Sequence, residues 1–210
     1  MNIQAPKTPY ALQETSLEEL YEDKLWDSCH VRGYSLIDTQ LEGVGIHYSI
    51  MQQCDFSNAS LEQIDFMDSR FENCDFSNAT FHMASLHRVQ FINCKFVGTK
   101  FKKCTLAHVQ VEQCMATLAS FDACKLETVI FSHTTLQQID MYSCKLKKVQ
   151  FDQCDLQDTR FESTPLKETD VHSSHFTQLH VNLNDLKGCT ISTEQAIYFA
   201  RLLGVKIKES

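Results

Sequence analysis

The chain has 210 residues and a formal net charge of −8 at pH 7, with 27 acidic side chains against 19 lysines and arginines. Nucleic-acid binding depends on basic side chains that neutralise phosphates, so this excess of acid argues against direct nucleic-acid binding. The sequence has neither the roughly 18 consecutive apolar residues of a membrane-spanning helix nor the basic and apolar segments of a signal peptide. We therefore expect a single-domain cytoplasmic bacterial protein with no membrane segment.

Residues 1–25 predict an N-terminal arm followed by a short capping helix. Thr15 and Ser16 precede the segment Leu17-Glu18-Glu19-Leu20, and an N-cap followed by acidic residues is typical of a helix start. Residues 1–14 carry no periodic pattern, so we expect a loose arm. The helix would cover the open edge of the structure that follows it.

A strict period of five residues dominates the rest of the chain. From Val31 to Ile191 every fifth residue is apolar, and these 33 positions hold 13 of the 14 phenylalanines. Helices repeat near 3.6 residues and strands near 2, so the period indicates a solenoid built from short units. Two residues before each large apolar residue lies a small residue, and all ten cysteines occupy that second position. Two inward and three outward residues per unit predict a chain that turns a corner after every unit.

The units also share a sequence motif. The string CDFSN occurs at residues 54–58 and again at 74–78, and SRFEN, CKFVG and CDLQD follow the same pattern. These units resemble the A-[D/N]-[L/F]-x-x motif of the pentapeptide-repeat family. The resemblance implies an all-β fold, a right-handed quadrilateral β-helix with four units per coil. On that geometry residues 26–191 form about eight coils, which stack into a rod on the order of 40 Å long.

The ten cysteines and nine histidines show no pattern of catalysis or metal binding. No C-x2-C spacing occurs, and the histidines all lie at outward positions. Stacked cysteines would be near enough for disulfides, but their side chains run parallel and a cytoplasm keeps thiols reduced. The sequence lacks G-x-S-x-G, P-loop and H-E-x-x-H motifs, and a packed rod offers no concave pocket. We expect no enzymatic activity, no metal site and no cofactor.

Residues 192–210 predict a helix and tail that act as a dimerisation module. Ser192 and Gln195 form a capping-box pattern, and Gly204 is placed to end the helix. The segment TISTEQAIYFARLLGVKI resembles the C-terminal module of Qnr-type quinolone-resistance proteins, particularly the chromosomal Gram-positive ones, which implies a head-to-head homodimer. Because the helix has more apolar residues than one coil end can cover, we predict an interface; the alternative is a cap that only covers the last coil. The predicted interface residues are Ile197, Tyr198, Phe199, Leu202 and Leu203.

The Qnr-type resemblance further implies a function. Proteins of this type bind DNA gyrase, and often topoisomerase IV, as mimics of duplex DNA, and thereby alter fluoroquinolone susceptibility. Asp55, Asp75, Asp155 and Asp158 share one face when positions are counted in coils of 20 residues, with the first two on adjacent coils, and we expect the other acidic residues in the same region. The alternative role for such carboxylates is solubility. The candidate gyrase-binding surface comprises Asp55, Glu62, Asp65, Asp68, Glu72, Asp75, Asp155 and Asp158.

Two features limit this mimicry. Lysines cluster at residues 95–103 and again at 145–148 with Lys125, which a uniform phosphate mimic would not carry. The repeat also runs without an insertion, so the chain lacks the loops that project from the coils of plasmid-borne Qnr proteins. The alternative function is a structural scaffold or protein-interaction rod unrelated to topoisomerases, because a fold does not fix a function.

Overall fold

The computed structural model of the chain describes residues 2–9 and 11–208, without the side chains of residues 17–19. Most strands are three residues long, with the central side chain buried and its neighbours facing outward. In chain order the elements are α1 (Leu17–Asp23), β1 (Leu25–Asp27), β2 (His30–Arg32), β3 (Gln40–Glu42), β4 (Gly45–His47), β5 (Ile50–Gln52), β6 (Ser60–Glu62), β7 (Asp65–Met67), β8 (Arg70–Glu72), β9 (Thr80–His82), β10 (Ser85–His87), β11 (Gln90–Ile92), β12 (Lys100–Lys102), β13 (Thr105–Glu112), β14 (Ser120–Asp122), β15 (Lys125–Ser132), β16 (Asp140–Tyr142), β17 (Lys145–Asp152), β18 (Thr159–Glu162), β19 (Thr169–Asp170), β20 (Leu179–Val181), a 3₁₀ helix (Leu183–Leu186) and α2 (Thr193–Leu202).

The strands are short because the backbone turns after each unit. The residue two positions after each buried centre adopts a left-handed conformation, as Gln53 (φ 55°), Asn58 (φ 59°) and Gln63 (φ 50°) do. A left-handed residue rotates the chain direction, and polar side chains such as Asn tolerate it better than most others. Four such turns return the chain to its starting face.

Parallel pairing between successive coils holds the rod together. Each strand pairs with residues 20 positions earlier or later in the chain, as Phe71 pairs with Phe91 and Leu41 with Leu61. β3, β6, β9, β12, β14, β16, β18 and β20 form an eight-stranded sheet, and the other twelve strands form a second sheet that covers two faces. The fourth face is joined by single bridges such as Asp55 with Asp75. The β-helix of about eight turns that the motif implied is confirmed.

Four columns of large apolar side chains fill the interior, and each face takes its name here from one buried phenylalanine. The Phe66 face holds β1, β4, β7 and β10, the Phe71 face holds β2, β5, β8 and β11, and the Phe81 face holds the eight-stranded sheet. The Phe76 face carries the single bridges. Rings stack along the columns, with centroids 5.0 Å apart for Phe71 and Phe91 and 5.1 Å apart for Phe76 and Phe96.

Eight of the ten cysteines line two inner corners of the coil, and Cys29 and Cys189 belong to a third column. Nine of the ten are buried, and Cys189 is half-buried. Eight of the thiols contact a main-chain carbonyl one coil away, as the Sγ of Cys94 does with Phe71 at 3.5 Å and that of Cys154 with Phe131 at 3.4 Å. Burial raises the pKa of the Cys154 thiol to about 11, and burial likewise raises the pKa of Cys94. Cys94 and Cys154 therefore act as neutral packing residues at pH 7.

Side chains rather than strands close the C-terminal edge of the rod. Ser192 begins α2 with a capping box in which its hydroxyl accepts from the backbone N–H of Gln195. The buried amide of Gln195 donates to the carbonyls of Val171 and Ser174, both at 2.8 Å. The Tyr198 hydroxyl contacts both the N–H and the carbonyl of Leu179 at 3.0 Å. Backbone groups that would otherwise offer a bare strand edge are thereby satisfied.

The N-terminal arm is not loose, which corrects the expectation from sequence. The backbone N–H of Lys7 donates to the carboxylate of Asp68 at 3.0 Å, and the N–H of Gln4 donates to Nδ1 of His108 at 3.3 Å. Further along, Gln13 forms a parallel bridge with Cys29. The arm therefore runs along the rod, descending from the level of residue 108 to the first coil before α1 begins.

We expect Phe91→Ala to lower the free energy of unfolding by ~3–5 kcal/mol, because the change leaves a cavity in a column where relaxation is blocked from above and below. Urea-induced unfolding measures the difference. Tyr142→Ala is the matched control, since Tyr142 is 49% exposed and its loss should cost less than about 0.5 kcal/mol. A loss below about 1 kcal/mol for Phe91→Ala would contradict the assigned core.

The burial of the thiols predicts how they react. In the native protein a thiol reagent should modify Cys189 first, whereas Cys94 and Cys154 should react only after unfolding, because they are buried and un-ionised. Mass spectrometry after timed labelling reads each position. In a Cys189→Ser variant native labelling should nearly vanish, and rapid native modification of Cys94 would show that its corner opens to solvent.

Candidate functional site

The outer surface is the part of the molecule that can engage a partner. Among residues 2–9 and 11–208, no three His, Cys, Asp or Glu side chains are grouped to hold a metal ion. Within the same described ranges, no helix combines the length and apolar character needed to cross a bilayer. The chemistry available on the faces of the rod is that of carboxylates, histidines and lysines.

The eight candidate acidic residues do not form one region, which corrects that part of the sequence interpretation. Asp55, Asp75, Asp155 and Asp158 lie on the Phe76 face, whereas Lys95, Met115 and Thr135 separate Asp75 from Asp155 in the same column. Asp65 begins β7 on the Phe66 face, and Asp68 comes directly after that strand. Glu62 ends β6 on the Phe81 face, and Glu72 ends β8 on the Phe71 face. The carboxylates are therefore spread over all four faces.

Three aspartates of the Phe76 face are held in fixed orientations. One carboxylate oxygen of Asp55 accepts the backbone N–H of Ser57 at 2.9 Å, and Asp75 binds the N–H of Ser77 in the same way at 2.8 Å. Asp155, which lies one coil after Thr135, accepts a backbone N–H in the same way. Such bonds stabilise the corner and direct the second oxygen outward, where that of Asp75 meets the ammonium group of Lys95 at 3.3 Å.

Histidines accompany four of the eight carboxylates. His82 lies 3.1 Å from Glu62 and His47 lies 2.8 Å from Asp65. His175 is 3.5 Å from Asp155, and His180 is 3.9 Å from Asp158. Half of the eight candidate carboxylates therefore have an imidazole within 3.9 Å.

Asp68 is buried, not exposed as the repeat frame suggested. Its side chain is 1% exposed and pairs with the guanidinium of Arg88. Burial disfavours the charged carboxylate, but the hydrogen bonds from Arg88 and from the N–H of Lys7 outweigh it and lower the pKa of Asp68. This residue anchors the N-terminal arm and is not available to a partner.

The arm explains this burial. Residues 48, 68, 88, 108 and 128 form the corner between the Phe66 and Phe71 faces, and along it Asp68 and Thr128 are buried, with Arg88 half-buried. The next two residues of the corner, Lys148 and Glu168, are exposed. We call the sheltered part, from residue 48 to residue 128, the arm corner.

The five predicted interface residues divide into two groups. Phe199 is only 6% exposed and packs in the core of its own chain, and Tyr198 is half-buried above Leu179. These two residues behave as the cap that the sequence left open as the alternative. Ile197, Leu202 and Leu203 remain exposed, at 39%, 49% and 64%, so they are the residues of this helix that a second copy could contact.

Sequence reasoning also missed a carboxylate. Glu42 is exposed and lies in direct register with Glu62 on the neighbouring strand. The two residues are 20 positions apart, so the repeat itself was the signal that pairs them. Together with Asp65 around the corner, they make the first coils of this edge acidic.

These features define a solenoid of short parallel strands whose charged side chains lie on its outer faces. The family model described as "Pentapeptide repeat region" matches residues 64–122, 84–161 and 117–191. The chain therefore belongs to the pentapeptide-repeat family. No curated protein matches it in sequence.

Solved structures with a similar fold belong to several biological settings. A trypsin-treated variant of QnrB1, a plasmid-mediated fluoroquinolone resistance protein, is 18% identical, with a TM-score of 0.46, covering 85% of this chain and 99% of that one. HetL from the cyanobacterium Nostoc sp. strain PCC 7120 is 13% identical, with a TM-score of 0.33, covering 84% of this chain and 89% of its own. A protein of the Arabidopsis thaliana thylakoid lumen is 12% identical, with a TM-score of 0.29, covering 78% and 75%. At these identities the likeness concerns the fold alone.

We expect Asp68→Ala to cost ~3–5 kcal/mol in unfolding free energy, because it leaves Arg88 without its buried partner and Lys7 without its acceptor. Hydrogen exchange at residues 4–8 should accelerate in the same variant. Asp65→Ala is the matched control: this neighbour is 46% exposed and paired only with His47, so its loss should cost about 1 kcal/mol or less.

The same pair should respond to acid. A carboxylate whose pKa is lowered by folding stabilises the protein fully above its unfolded value of ~3.9, and loses that contribution as the pH falls through the lower folded value. The stability difference between the wild type and Asp68→Asn should therefore be constant from pH 7 to about 4 and shrink below that. A difference that shrinks between pH 7 and 5 would point to a group other than Asp68.

Proposed function

We propose that this protein binds DNA gyrase, and also topoisomerase IV, as a rigid mimic of duplex DNA, and that it thereby lowers susceptibility to fluoroquinolones. The observation that carries the proposal is the C-terminal segment. Its sequence resembles the Qnr-type module, and it folds as a capped helix that leaves Ile197, Leu202 and Leu203 exposed at the end of the rod. We place this activity in the cytoplasm, where the enzyme acts, and assign it to binding rather than to catalysis.

Among the four faces of the rod, the Phe76 face gives the proposal the most support. Asp55 and Asp75 lie in register on adjacent coils, so their carboxylates are separated by about one strand spacing, ~4.8 Å. Each is held by a backbone N–H, which means that little side-chain freedom is lost when a partner binds. Fixed negative charges on a rod can replace phosphates in a basic DNA-binding groove.

A scaffold or interaction rod unrelated to topoisomerases is the second candidate. The observation in its favour is the local neutralisation of the acidic surface, where Lys95 pairs with Asp75 and histidines accompany Glu62 and Asp65. A general phosphate mimic gains nothing from such partners. The two candidates differ in whether gyrase responds to the purified protein at all.

A supercoiling assay with purified gyrase, with and without ciprofloxacin, decides between them. The wild type should change either the rate of supercoiling or the yield of drug-stabilised cleavage. The double variant Asp55→Asn with Asp75→Asn should require at least about 5-fold more protein for the same effect, since it removes two charges. Asparagine retains the oxygen that accepts the N–H, so the corners should stay intact.

The matched control is Glu162→Gln with Glu168→Gln, which removes two exposed charges from other faces. Its effect should stay within about 2-fold of the wild type, because charges distant from the contact are screened. An equal loss in both double variants would mean that net charge, not the Phe76 face, governs binding. A wild type that leaves gyrase unchanged would favour the scaffold.

The dimer forms the second part of the proposal. One rod of ~40 Å matches only about a dozen base pairs, so two rods joined end to end through α2 present a longer mimic. Ile197→Asp with Leu203→Asp should give a monomer, because it places unpaired carboxylates in an apolar contact. Phe199 is unsuitable for this test, since it packs inside its own chain.

Sedimentation measures the state of this double variant, and the supercoiling assay measures its effect on gyrase. We expect a folded monomer whose effect on gyrase is several-fold weaker, although every acidic face is unchanged. A monomeric variant with undiminished effect would separate dimerisation from function and would leave the acidic surface as the sole determinant.

A further inference from the structure

We propose that the corner between the Phe81 and Phe66 faces is a second docking surface, which binds an acidic segment of a partner protein. The surface consists of Lys102, Lys103, Lys125 and Lys145, and we call it the basic edge. The inference is independent of gyrase binding, because the charges argued for that binding are Asp55 and Asp75 of the Phe76 face, and the basic edge lies outside that face.

The repeat brings the four lysines together from three successive coils. Lys102 ends β12 and Lys103 follows it at the corner, while Lys125 and Lys145 begin β15 and β17 on the far side of the same corner. Lys125 and Lys145 are in direct register. All four side chains are exposed, and none forms an ion pair with a carboxylate that the structure describes. The edge thus spans about two coil spacings, ~10 Å.

The fold itself does not require this arrangement. Like charges directly opposite each other on neighbouring strands destabilise a sheet, and Lys125 and Lys145 are such a pair. Elsewhere on the rod, lysines in similar positions have partners, as Lys147 has with Glu127 and Lys95 with Asp75. In a chain of net charge −8, four lysines without an ion pair at one corner are therefore available to an external anion, although Asp122 lies in register with Lys102.

Two exposed apolar side chains flank the lysines. Met83 is 41% exposed, and its backbone N–H donates to the carbonyl of Lys102 at 2.9 Å, which places it one coil before that residue. Tyr142 is 49% exposed. On the Phe81 face it lies in register one coil after Asp122 and two coils after Lys102. Methionine and tyrosine are both enriched at protein-binding surfaces.

The same edge reverses its charge toward the first coils, and this favours a protein segment over nucleic acid. Glu42 and Glu62 stack in register two to three coils before Lys102, and Asp65 lies around the corner from them. A stiff duplex that follows the edge would carry its phosphates onto these carboxylates. A short acidic peptide can bind the lysines alone and place an apolar side chain against either Met83 or Tyr142.

The direct test uses two fluorescein-labelled peptides of about 16 residues, one of glutamate only and one with a central phenylalanine, at roughly 50 mM salt, where charge pairs are weakly screened. Fluorescence anisotropy with the full-length protein should show saturable binding of both, with the phenylalanine peptide at least about 3-fold tighter. In Met83→Ala with Tyr142→Ala this difference should disappear.

The decisive variant is Lys102→Glu with Lys125→Glu and Lys145→Glu, which should weaken both peptides at least about 10-fold. The control, Lys167→Glu with Lys187→Glu and Lys206→Glu, changes the net charge equally at exposed positions elsewhere, and should lose less than about 3-fold. Circular dichroism checks that both variants fold.

Three results would overturn the proposal. The first is the absence of saturable peptide binding, and the second is an equal loss in the two triple variants. The third is a different occupant: tighter binding of a 20-base-pair duplex through the same lysines would assign the edge to nucleic acid, whereas self-association abolished by the first triple variant would assign it to a second copy of this chain.

Discussion

The parallel register of 20 residues between successive coils is the constraint on which the rest of the structure depends. Because each residue lies directly beside its equivalents one coil earlier and later, as Phe71 lies beside Phe91, the choice of one inward residue affects two neighbours. A shift of the chain by one residue would move the whole buried set outward. The strict period from Val31 to Ile191 is the consequence.

The same register turns the surface into columns of charge. Outward residues are free of packing demands, but each lies a strand spacing from its neighbours in the column, so like and unlike charges are brought together systematically. The pair of Glu42 with Glu62 and the pair of Lys125 with Lys145 arise in this way. A rod of this kind therefore presents fixed patterns of charge, and its interactions depend on which columns are left unpaired.

The fold and its interior were predictable from the sequence, whereas the surface was predictable only in part. Periodicity identifies inward positions, so Phe91 and Cys94 lie where expected. Glu62, Asp65 and Glu72 lie on separate faces because they occupy different positions within the 20-residue coil. The sequence already contains these positions, so the expectation of a single acidic region was avoidable. The burial of Asp68 could not be derived, because it comes from an arm without periodicity that lies on the corner.

The C-terminal helix shows the same limit in another form. Its capping box and its end near Gly204 are encoded locally, but which apolar side chains face the coil depends on how the helix docks. The side-chain amide of Gln195 donates to the carbonyls of Val171 and Ser174. The helix docked in this way has Phe199 buried and Leu203 exposed. Sequence alone gives the apolar content of the helix and not its division between core and surface.

The central claim is that this rod takes the place of duplex DNA on a topoisomerase. Competition between the two for gyrase tests it most directly, with labelled DNA followed by fluorescence anisotropy at increasing concentrations of the protein. The account predicts that the apparent dissociation constant of DNA rises in proportion to the protein concentration, as for two ligands of one site. A ternary complex in which gyrase holds DNA and the rod together, with the affinity for DNA unchanged, would contradict it.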